Sequence, residues 1–337
     1  MRGGQTANGK RQTANGTALF VLFVVLCWWG GVKDVMASSV HVIVCGSGGE
    51  APYIEQFEDW GQRLRRVLTE QMGHHPDQVY LLTETGANAG GVSLLSNIKK
   101  TFRDVGRTVS KQDDVYVYLI GHGSYRQNMA KLNIPGEDLT ADHLNEWMRA
   151  WKAQQVVVIN AASASAAFIN VLSGQGRIIC TSTRNVEERN ATRFMEFFIQ
   201  ALEVRSADQN RDDRISVLEL CQQAELLTAA WYVGEGYLVT EHALLDDNGD
   251  GKGTRLTEIV LGQGDGKKAD QCFLLDIQLP VGTPQALGDA YLSAISSVQT
   301  LIAQKTALDS VAYAAQLERA LLKAARINQQ IRAGIGQ

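Results

Sequence analysis

Two short apolar runs, each followed at once by small residues, constrain the fold of this chain more than any other feature. Residues 115–120 are rich in Val, Tyr, Leu and Ile and lead directly into residues 121–124, Gly-His-Gly-Ser. Residues 156–159 are Val and Ile and lead into residues 160–165, Asn-Ala-Ala-Ser-Ala-Ser. Such runs form buried strands of parallel sheets, whose carboxyl ends are where substrates bind. A histidine at one end and a hydroxyl at the next can form a base–nucleophile pair.

Further apolar runs alternate with helical patterns along the chain. The pattern predicts strands at residues 41–45, 79–83 and 177–181, and helices at residues 54–70 and 92–105. Alternating strands and helices imply right-handed crossovers and a mostly parallel sheet with helices on both faces. The predicted fold class is therefore α/β.

The composition changes after residue 280. Residues 286–337 are rich in Ala, Leu, Gln and Arg, and apolar residues recur there at helical spacing. This pattern predicts a helical hairpin at residues 281–337, packed on the domain or on a partner. The α/β domain is assigned to residues 38–280.

The first 37 residues are interpreted as a signal peptide. Residues 1–16 are polar and basic, and an apolar run follows at residues 18–32. The run is too short for a comfortable membrane span, and residues 35–37, Val-Met-Ala, suit signal peptidase. We therefore expect an exported protein, periplasmic or secreted. The alternative is an N-terminal membrane anchor formed by an uncleaved signal.

The charge of the mature chain argues against nucleic acid or an anionic membrane surface as its partner. The whole chain carries 32 Lys and Arg against 36 Asp and Glu, and removing residues 1–37 takes away four basic residues and one acidic residue. The remaining net charge of −7 would repel polyanions.

Four cysteines remain in the mature chain, and an oxidising compartment would allow them to pair in three ways. The sequence does not rank these pairings. No Cys-x-x-Cys spacing is present, which argues against a zinc or dithiol site. The four residues are Cys45, Cys180, Cys221 and Cys272.

The two strand ends resemble those of the legumain-like cysteine peptidases, which have the caspase–haemoglobinase fold. In that family one strand ends in His-Gly and the next ends in Ala-Cys-x-Ser-Gly. Residues 117–124 match the first motif, and residues 162–166, Ala-Ser-Ala-Ser-Ala, align with the second. The resemblance extends from residue 41 to residue 181. It implies a mostly parallel caspase-like sheet, a bacterial-type exported homologue with peptidase-like, hydrolase chemistry, and a polypeptide as substrate or partner.

The resemblance assigns roles to three residues. His122 takes the position of the general base, Gly123 that of a backbone donor to the oxyanion, and Ser163 that of the nucleophilic cysteine. A serine hydroxyl needs a well-placed base and usually an orienting acid, and the sequence identifies no such third group. The position two before the nucleophile, acidic in legumain, is Ala161, so a selectivity for asparagine does not carry over.

Three interpretations of this site remain open. Ser163 could be an active serine nucleophile, or the fold could be a pseudopeptidase that binds polypeptide without cleaving it. In the third interpretation Cys180 or Cys45, both near strand ends, has become the nucleophile. A shift of one residue in the alignment would place Ala162 at the nucleophile position and abolish catalysis. We favour a catalytically degenerate or altered site.

A calcium-binding loop is predicted at residues 208–219, which fit the twelve-residue pattern of an EF-hand. Helical patterns flank the loop at residues 193–204 and 217–231. Position six, usually Gly, is Asp213, a residue that tolerates a left-handed backbone better than most. The alternative is a solvated acidic turn that caps the next helix. The predicted ligands are Asp208, Asn210, Asp212, Arg214 through its carbonyl, Ser216 and Glu219.

A second calcium loop is predicted at residue 246 onward, with a plain glycine-rich turn as the alternative. The oxygens alternate as in the first loop, and Gly251 occupies position six. Position twelve is Thr257, and Glu258 follows one place late. The predicted ligands are Asp246, Asn248, Asp250 and Lys252.

Glu241 and His242 precede the second loop. They could form a metal pair or lie at the rim of the active site, but a surface or packing pair is the preferred interpretation.

Overall fold

The structure is a computed structural model that describes residues 39–212, 214–275, 279, 282–303 and 309–335. The predicted signal peptide at residues 1–37 lies outside the described residues.

Thirteen strands occur in the described residues. They are β1 Ser39–Cys45, β2 Val79–Thr83, β3 Gly91–Val92, β4 Asp114–Ile120, β5 Gly123–Arg126, β6 Met129–Leu132, β7 Leu139–Thr140, β8 Gln155–Asn160, β9 Arg177–Thr181, β10 Ile215–Ser216, β11 Leu244–Asp246, β12 Thr254–Arg255 and β13 Phe273–Leu275.

Nine α-helices occur in the same residues, and α1 continues as a π-helical turn over Val67–Gln71. They are α1 Ala51–Arg66, α2 Leu95–Thr108, α3 Ala141–Met148, α4 Ile169–Leu172, α5 Phe194–Glu203, α6 Val217–Gly234, α7 Lys267–Gln271, α8 Gln285–Ala303 and α9 Ser310–Ile335.

The main sheet has eight strands in the order β12-β11-β9-β8-β4-β1-β2-β3. The six strands from β9 to β3 are parallel, whereas β11 and β12 add to the edge in antiparallel fashion. The prediction of an α/β fold with a mostly parallel, caspase-like sheet is confirmed. The predicted strands at residues 79–83 and 177–181 have the observed bounds, and the predicted strands that became β1, β4 and β8 differ by one or two residues at an end.

Both faces of the sheet are buried, because side chains alternate along each strand. On one face Ile43 and Tyr118 pack with α1, α5 and α6 through residues such as Trp60, Phe198 and Cys221. On the other face α2, α3 and α4 cover the sheet around Phe102. The predicted helix at residues 92–105 begins later, because Gly91–Val92 pairs with β2 as a short strand.

Two small sheets flank the main one. Strands β5, β6 and β7 form a three-stranded sheet directly after β4, and β10 pairs with β13. The pairing of β10 with β13 joins Ile215 of the first acidic loop to Leu275.

The C-terminal region contains the two helices α8 and α9, which contact each other. Ala294, Val298, Ala324 and Ile331 are buried. The boundary between this region and the α/β domain stays a prediction, since residues 276–278 and 280–281 lie outside the described residues.

Within the described ranges, no helix has the length and apolar character needed to span a bilayer.

Candidate active site and acidic loops

The carboxyl ends of β4 and β8 lie side by side in the middle of the sheet. The two strands are parallel, and Tyr118 pairs with Ile159 and Leu119 with Asn160. The N–H of Ala161 continues the ladder by donating to the carbonyl of Leu119 at 2.9 Å. The two predicted motifs therefore emerge together at one edge of the sheet, as the resemblance implies.

Ser163 and Gly123 are in direct contact. The Gly123 N–H donates to the Ser163 Oγ at 3.0 Å, and the Ser163 hydroxyl faces the Gly123 carbonyl oxygen at 3.4 Å. A Cβ on Gly123 would lie 2.2 Å from the Ser163 carbonyl oxygen, so only glycine allows this approach. Ser163 is 1% exposed, and its hydroxyl is occupied by backbone groups.

The His122 ring is partly buried among aromatic side chains. Its ring meets Tyr53 edge-on at a centroid distance of 4.8 Å and Phe57 at 5.1 Å. Burial lowers the pKa of His122, against the opposing effects of a hydrogen bond to the Gly48 backbone and the charge of Glu50. Among the hydrogen bonds of the described residues, none joins the imidazole to Ser163.

A buried network of hydroxyl groups surrounds the end of β8, which the sequence did not predict. The Ser165 Oγ lies 3.3 Å from the Ser182 Oγ and 3.1 Å from the Thr183 Oγ1. The Ser182 hydroxyl donates to the Ala162 carbonyl at 3.0 Å, and the Thr192 hydroxyl donates to the carbonyl of Ala161. These contacts hold the segment after β8 inside the protein. They also give each of these buried hydroxyl groups a hydrogen-bond partner, as buried polar groups require.

The residue after Ser163 has a left-handed backbone. Ala164 has a φ of +52° and its N–H donates to the Glu188 carbonyl at 2.8 Å. Ala162, which a shifted alignment would place at the nucleophile position, is fully buried. The contact of Ser163 with Gly123 supports the alignment that assigns Ser163 to that position.

Cys45 and Cys180 are poorly suited to nucleophilic chemistry. Both side chains are fully buried. Burial raises the pKa of both thiols, so the reactive thiolate is disfavoured. The four cysteines within the described residues are buried free thiols.

Glu241 and His242 have structural partners. The Glu241 carboxylate accepts the N–H groups of Arg193 at 2.7 Å and Phe194 at 3.1 Å, and thereby caps the start of α5. The His242 Nδ1 lies 2.6 Å from the Glu188 Oε1. The two residues therefore point to different partners.

The first acidic loop folds around its own side-chain oxygens. Asp208 and Asn210 accept the Asp212 N–H at 3.1 and 2.9 Å, and Asp212 accepts the Arg214 N–H at 2.9 Å. The Arg214 guanidinium lies 3.3 Å from the centroid of the Phe273 ring on β13. Asp213, at position six, lies outside the described residues.

The last two predicted ligands of that loop cap helix α6. The Ser216 Oγ accepts the Glu219 N–H at 3.2 Å, and the Glu219 Oε2 accepts the Ser216 N–H at 3.0 Å. Burial raises the pKa of Glu219, and the negative charges of Asp212 and Asp208 raise it further. The capping turn predicted as the alternative is thus present, and Glu219 is close enough to Asp212 and Asp208 for their charges to affect it.

The second acidic loop is built into the edge of the main sheet. Asp246 ends β11 and accepts two backbone N–H groups of the loop, both at 3.0 Å. Asn248 accepts the Asp250 N–H and Asp250 accepts the Lys252 N–H, both at 2.8 Å. Burial raises the pKa of Asp246, with the charge of Asp265 adding to the effect.

The carboxylate beside Asp246 has a structural task. Asp247 accepts the N–H groups of Gly266, Lys268 and Ala269 at 2.7 to 3.0 Å, at the start of α7. Across the described residues, no group of three or more His, Cys, Asp or Glu side chains is arranged to hold a metal ion. Calcium binding by either loop stays a prediction.

Two grooves open on the surface near these elements. One, of about 410 Å³, lies between Tyr125, Arg184 and the second acidic loop. The other, of about 630 Å³, lies between Tyr53, Arg193 and Trp231.

Residues 94–223 match the family model described as the Peptidase C13 family. Over this segment the chain is similar to that family. The matched segment contains His122, Ser163 and the first acidic loop. The match supports a peptidase-like function. No curated protein matches the chain.

Proposed function

We propose that this protein is an exported, legumain-like peptidase homologue that binds polypeptide at the His122/Ser163 edge without cleaving it. The observation that supports this most is the contact of Ser163 with Gly123. The Gly123 N–H, which would stabilise an oxyanion, donates instead to the Ser163 Oγ at 3.0 Å.

The state of the hydroxyl argues in the same direction. A serine attacks a carbonyl only when a base removes its proton, so the hydroxyl must point toward that base and toward the substrate. Ser163 is 1% exposed and its hydroxyl faces the Gly123 carbonyl oxygen. The His122 ring packs against Tyr53 and Phe57, and among the hydrogen bonds of the described residues none joins the ring to the hydroxyl.

Labelling with a fluorophosphonate probe tests the absence of catalysis. We expect no covalent label on Ser163 and no peptide products from denatured casein, by mass spectrometry. Ser163→Ala is the matched control, since it removes only the hydroxyl. Labelling or cleavage that disappears in both Ser163→Ala and His122→Ala would overturn the proposal.

The binding half of the proposal has a separate measurement. Fluorescein-labelled, denatured casein should show raised anisotropy when the protein is added, and Ser163→Ala should bind it equally well. An unrelated acidic protein, added to the same labelled casein, is the control for nonspecific effects of charge. No change in anisotropy would reject polypeptide binding.

An active serine hydrolase is the second candidate, supported by the neighbouring positions of the two strand ends. Ser163→Cys separates the two cases, because a thiol is more nucleophilic and needs less help from a base. Cleavage by this variant in an otherwise inert protein would mean that only the nucleophile was lost.

We also propose that the first acidic loop binds Ca²⁺, using the oxygens of Asp208, Asn210, Asp212, Ser216 and Glu219 and the carbonyl of Arg214. Carboxylate and carbonyl oxygens are the ligands that Ca²⁺ prefers. The effect of the Asp212 and Asp208 charges on Glu219 supports this, since a bound cation would offset that repulsion. The second loop offers Asp246, Asn248, Asp250 and the carbonyl of Lys252, but no carboxylate at position twelve.

Thermal unfolding tests the calcium proposal. A ligand that binds only the folded state at a hundredfold excess over its Kd stabilises it by about 2.7 kcal/mol. We expect Ca²⁺ to raise the Tm of the wild type, and Asp208→Asn with Asp212→Asn to lose that response. Asp104→Asn, on an exposed face of α2, is the control. A response that instead depends on Asp250 would assign the ion to the second loop, and no response would reject the proposal.

Export is proposed from residues 1–37. When the full chain is expressed in bacteria, we expect the protein recovered outside the cytoplasm to lack these residues, as measured by its intact mass. An intact N-terminus in the membrane fraction would favour the anchor instead.

A further inference from the structure

The groove of about 630 Å³ lies directly beside the candidate site. Tyr53, at the start of α1, forms one wall, and the same ring contacts the His122 ring. Thr192 also lines the groove, and its hydroxyl donates to the carbonyl of Ala161 just after β8. A chain that lies along the two strand ends would therefore run into this groove.

The far wall of the groove is aromatic. The Trp231 ring lies 5.0 Å from the Tyr232 ring and 6.1 Å from the Tyr237 ring. Tyr237 is 61% exposed and the neighbouring Leu238 is 86% exposed. Adjacent large apolar side chains that face water at a groove are typical of a binding surface.

The wall is held in place by buried polar contacts. The Tyr232 hydroxyl donates to the Glu241 carboxylate at 2.7 Å, and the same carboxylate accepts the Arg193 N–H. A groove that is already formed loses little conformational entropy when a ligand binds.

The charge of the groove does not select an acidic ligand. The Arg193 guanidinium lies 4.3 Å from the Trp231 ring centroid and 2.9 Å from the Glu196 carboxylate, so its charge is already balanced. Gln56 and Thr240 add uncharged donors and acceptors that suit a peptide backbone. The volume of the groove falls in the range of about 300–1,000 Å³ that is common for ligand pockets.

We propose that this groove binds an aromatic or large aliphatic side chain of an extended polypeptide whose backbone lies along the ends of β4 and β8. The inference rests on the proposed function and adds to it the class of side chain that is recognised. Stacking on Trp231 and Tyr237 and burial beside Leu238 provide the selectivity.

A peptide array on which one position is varied through all side chains tests this inference. We expect Phe, Tyr, Trp and Leu to be enriched at one position. Tyr237→Ser with Leu238→Ser should weaken the best aromatic peptide at least about tenfold in Kd. Leu226→Ser, which removes a leucine of α6 that is 60% exposed and does not line the groove, should stay within about twofold.

The outcomes separate this inference from the proposed function. Peptides that bind the wild type and the double variant equally, without aromatic enrichment, overturn the groove while polypeptide binding stands. Aromatic-selective cleavage supports the groove and overturns the non-cleaving function. A complete lack of peptide binding overturns both. If the wild type is a dimer and the double variant is a monomer, a second copy occupies the groove, and the inference is overturned.

Discussion

The two neighbouring strand ends, one after β4 and one after β8, differ in how they meet their surroundings. The β4 end carries His122, whose ring packs between aromatic side chains next to an open groove. The β8 end carries Ser163 and Ser165, which are 1% and 0% exposed and are hydrogen-bonded within the protein. One strand end therefore lies next to an open groove, whereas the side chains at the other strand end are part of the core.

The physical reason lies in the side chains that follow β8. Small hydroxyl residues can donate and accept at the same time, so they satisfy one another when they are buried. The contacts of Ser165 with Ser182 and Thr183 are of this kind. A hydroxyl satisfied in this way has no free direction for a substrate.

The largest effect is expected where the two strand ends touch. A Cβ in Gly123→Ala would lie 2.2 Å from the Ser163 carbonyl oxygen and 3.1 Å from that of Lys131, and both are backbone atoms. We expect a loss of about 3 kcal/mol in the free energy of unfolding, measured in urea. Gly174→Ala, whose nearest contact would be a flexible side chain at 3.9 Å, is the control. Equal stability of both variants would show that the strand ends are free to separate.

The next largest effect is expected in the network after β8. Ser165→Ala leaves the Thr183 N–H without the acceptor that it has at 3.2 Å, and removes a partner from two buried hydroxyls. The expected loss is about 2 kcal/mol in urea unfolding. Ser124→Ala, on β5 after the other strand end, has one contact at 3.5 Å and should cost less than about 0.5 kcal/mol. The reverse order would contradict the view that the β8 end is core.

A smaller effect concerns pH and the β4 end. The pKa of His122 is lowered from 6.5 by burial, so the unfolded chain binds its proton more readily than the folded protein does. This contribution to stability is present above pH 6.5 and is lost as the pH falls toward the folded-state value.

The matched variants isolate that contribution. His122→Phe should remove a pH-dependent loss below about 1 kcal/mol from the urea unfolding curve between neutral and acidic pH, because the ring is partly solvated. Tyr53→Phe keeps the ring packing and the histidine, and should retain the wild-type profile. Identical profiles for all three proteins would mean that burial of His122 does not influence its protonation.

A further comparison tests the turn after Ser163. Ala164 has a left-handed backbone, where alanine is less favourable than glycine by roughly 1 kcal/mol, whereas Ala162 is outside that region. Both side chains are buried. We expect Ala164→Gly to cost about 1 kcal/mol less than Ala162→Gly in the free energy of unfolding. Equal losses would show that the turn carries no backbone strain.

The sequence predicted the central strands well because they are continuous β-branched runs that are buried on both faces. The run at residues 156–159 became Gln155–Asn160, and the helix at residues 217–231 became Val217–Gly234. The short strands β5–β7 and β11–β12 were not predicted. Many of their residues are polar or only partly buried, and a strand of two to four residues is specified by its neighbours, not by its own pattern.

The candidate site was predicted only in part. Placing the strand end that carries His122 next to the one that carries Ser163 required just the rule that carboxyl ends of parallel strands meet at one edge. The capping role of Glu241, the partner of His242 and the network around Ser165 depend on residues from distant parts of the chain. The local sequence around each residue does not predict those contacts.

The amino-acid sequence by itself determined which segments form the central strands, where the two strand ends lie in the chain, and how oxygens alternate in the acidic loops. Periodicity and residue chemistry are local properties, so a sequence shows them directly. Tertiary structure alone decided that the Ser163 hydroxyl contacts the Gly123 backbone and that Tyr53 joins His122 to an aromatic groove. These contacts depend on distances between segments far apart in the chain, and such distances are set only when the whole core packs.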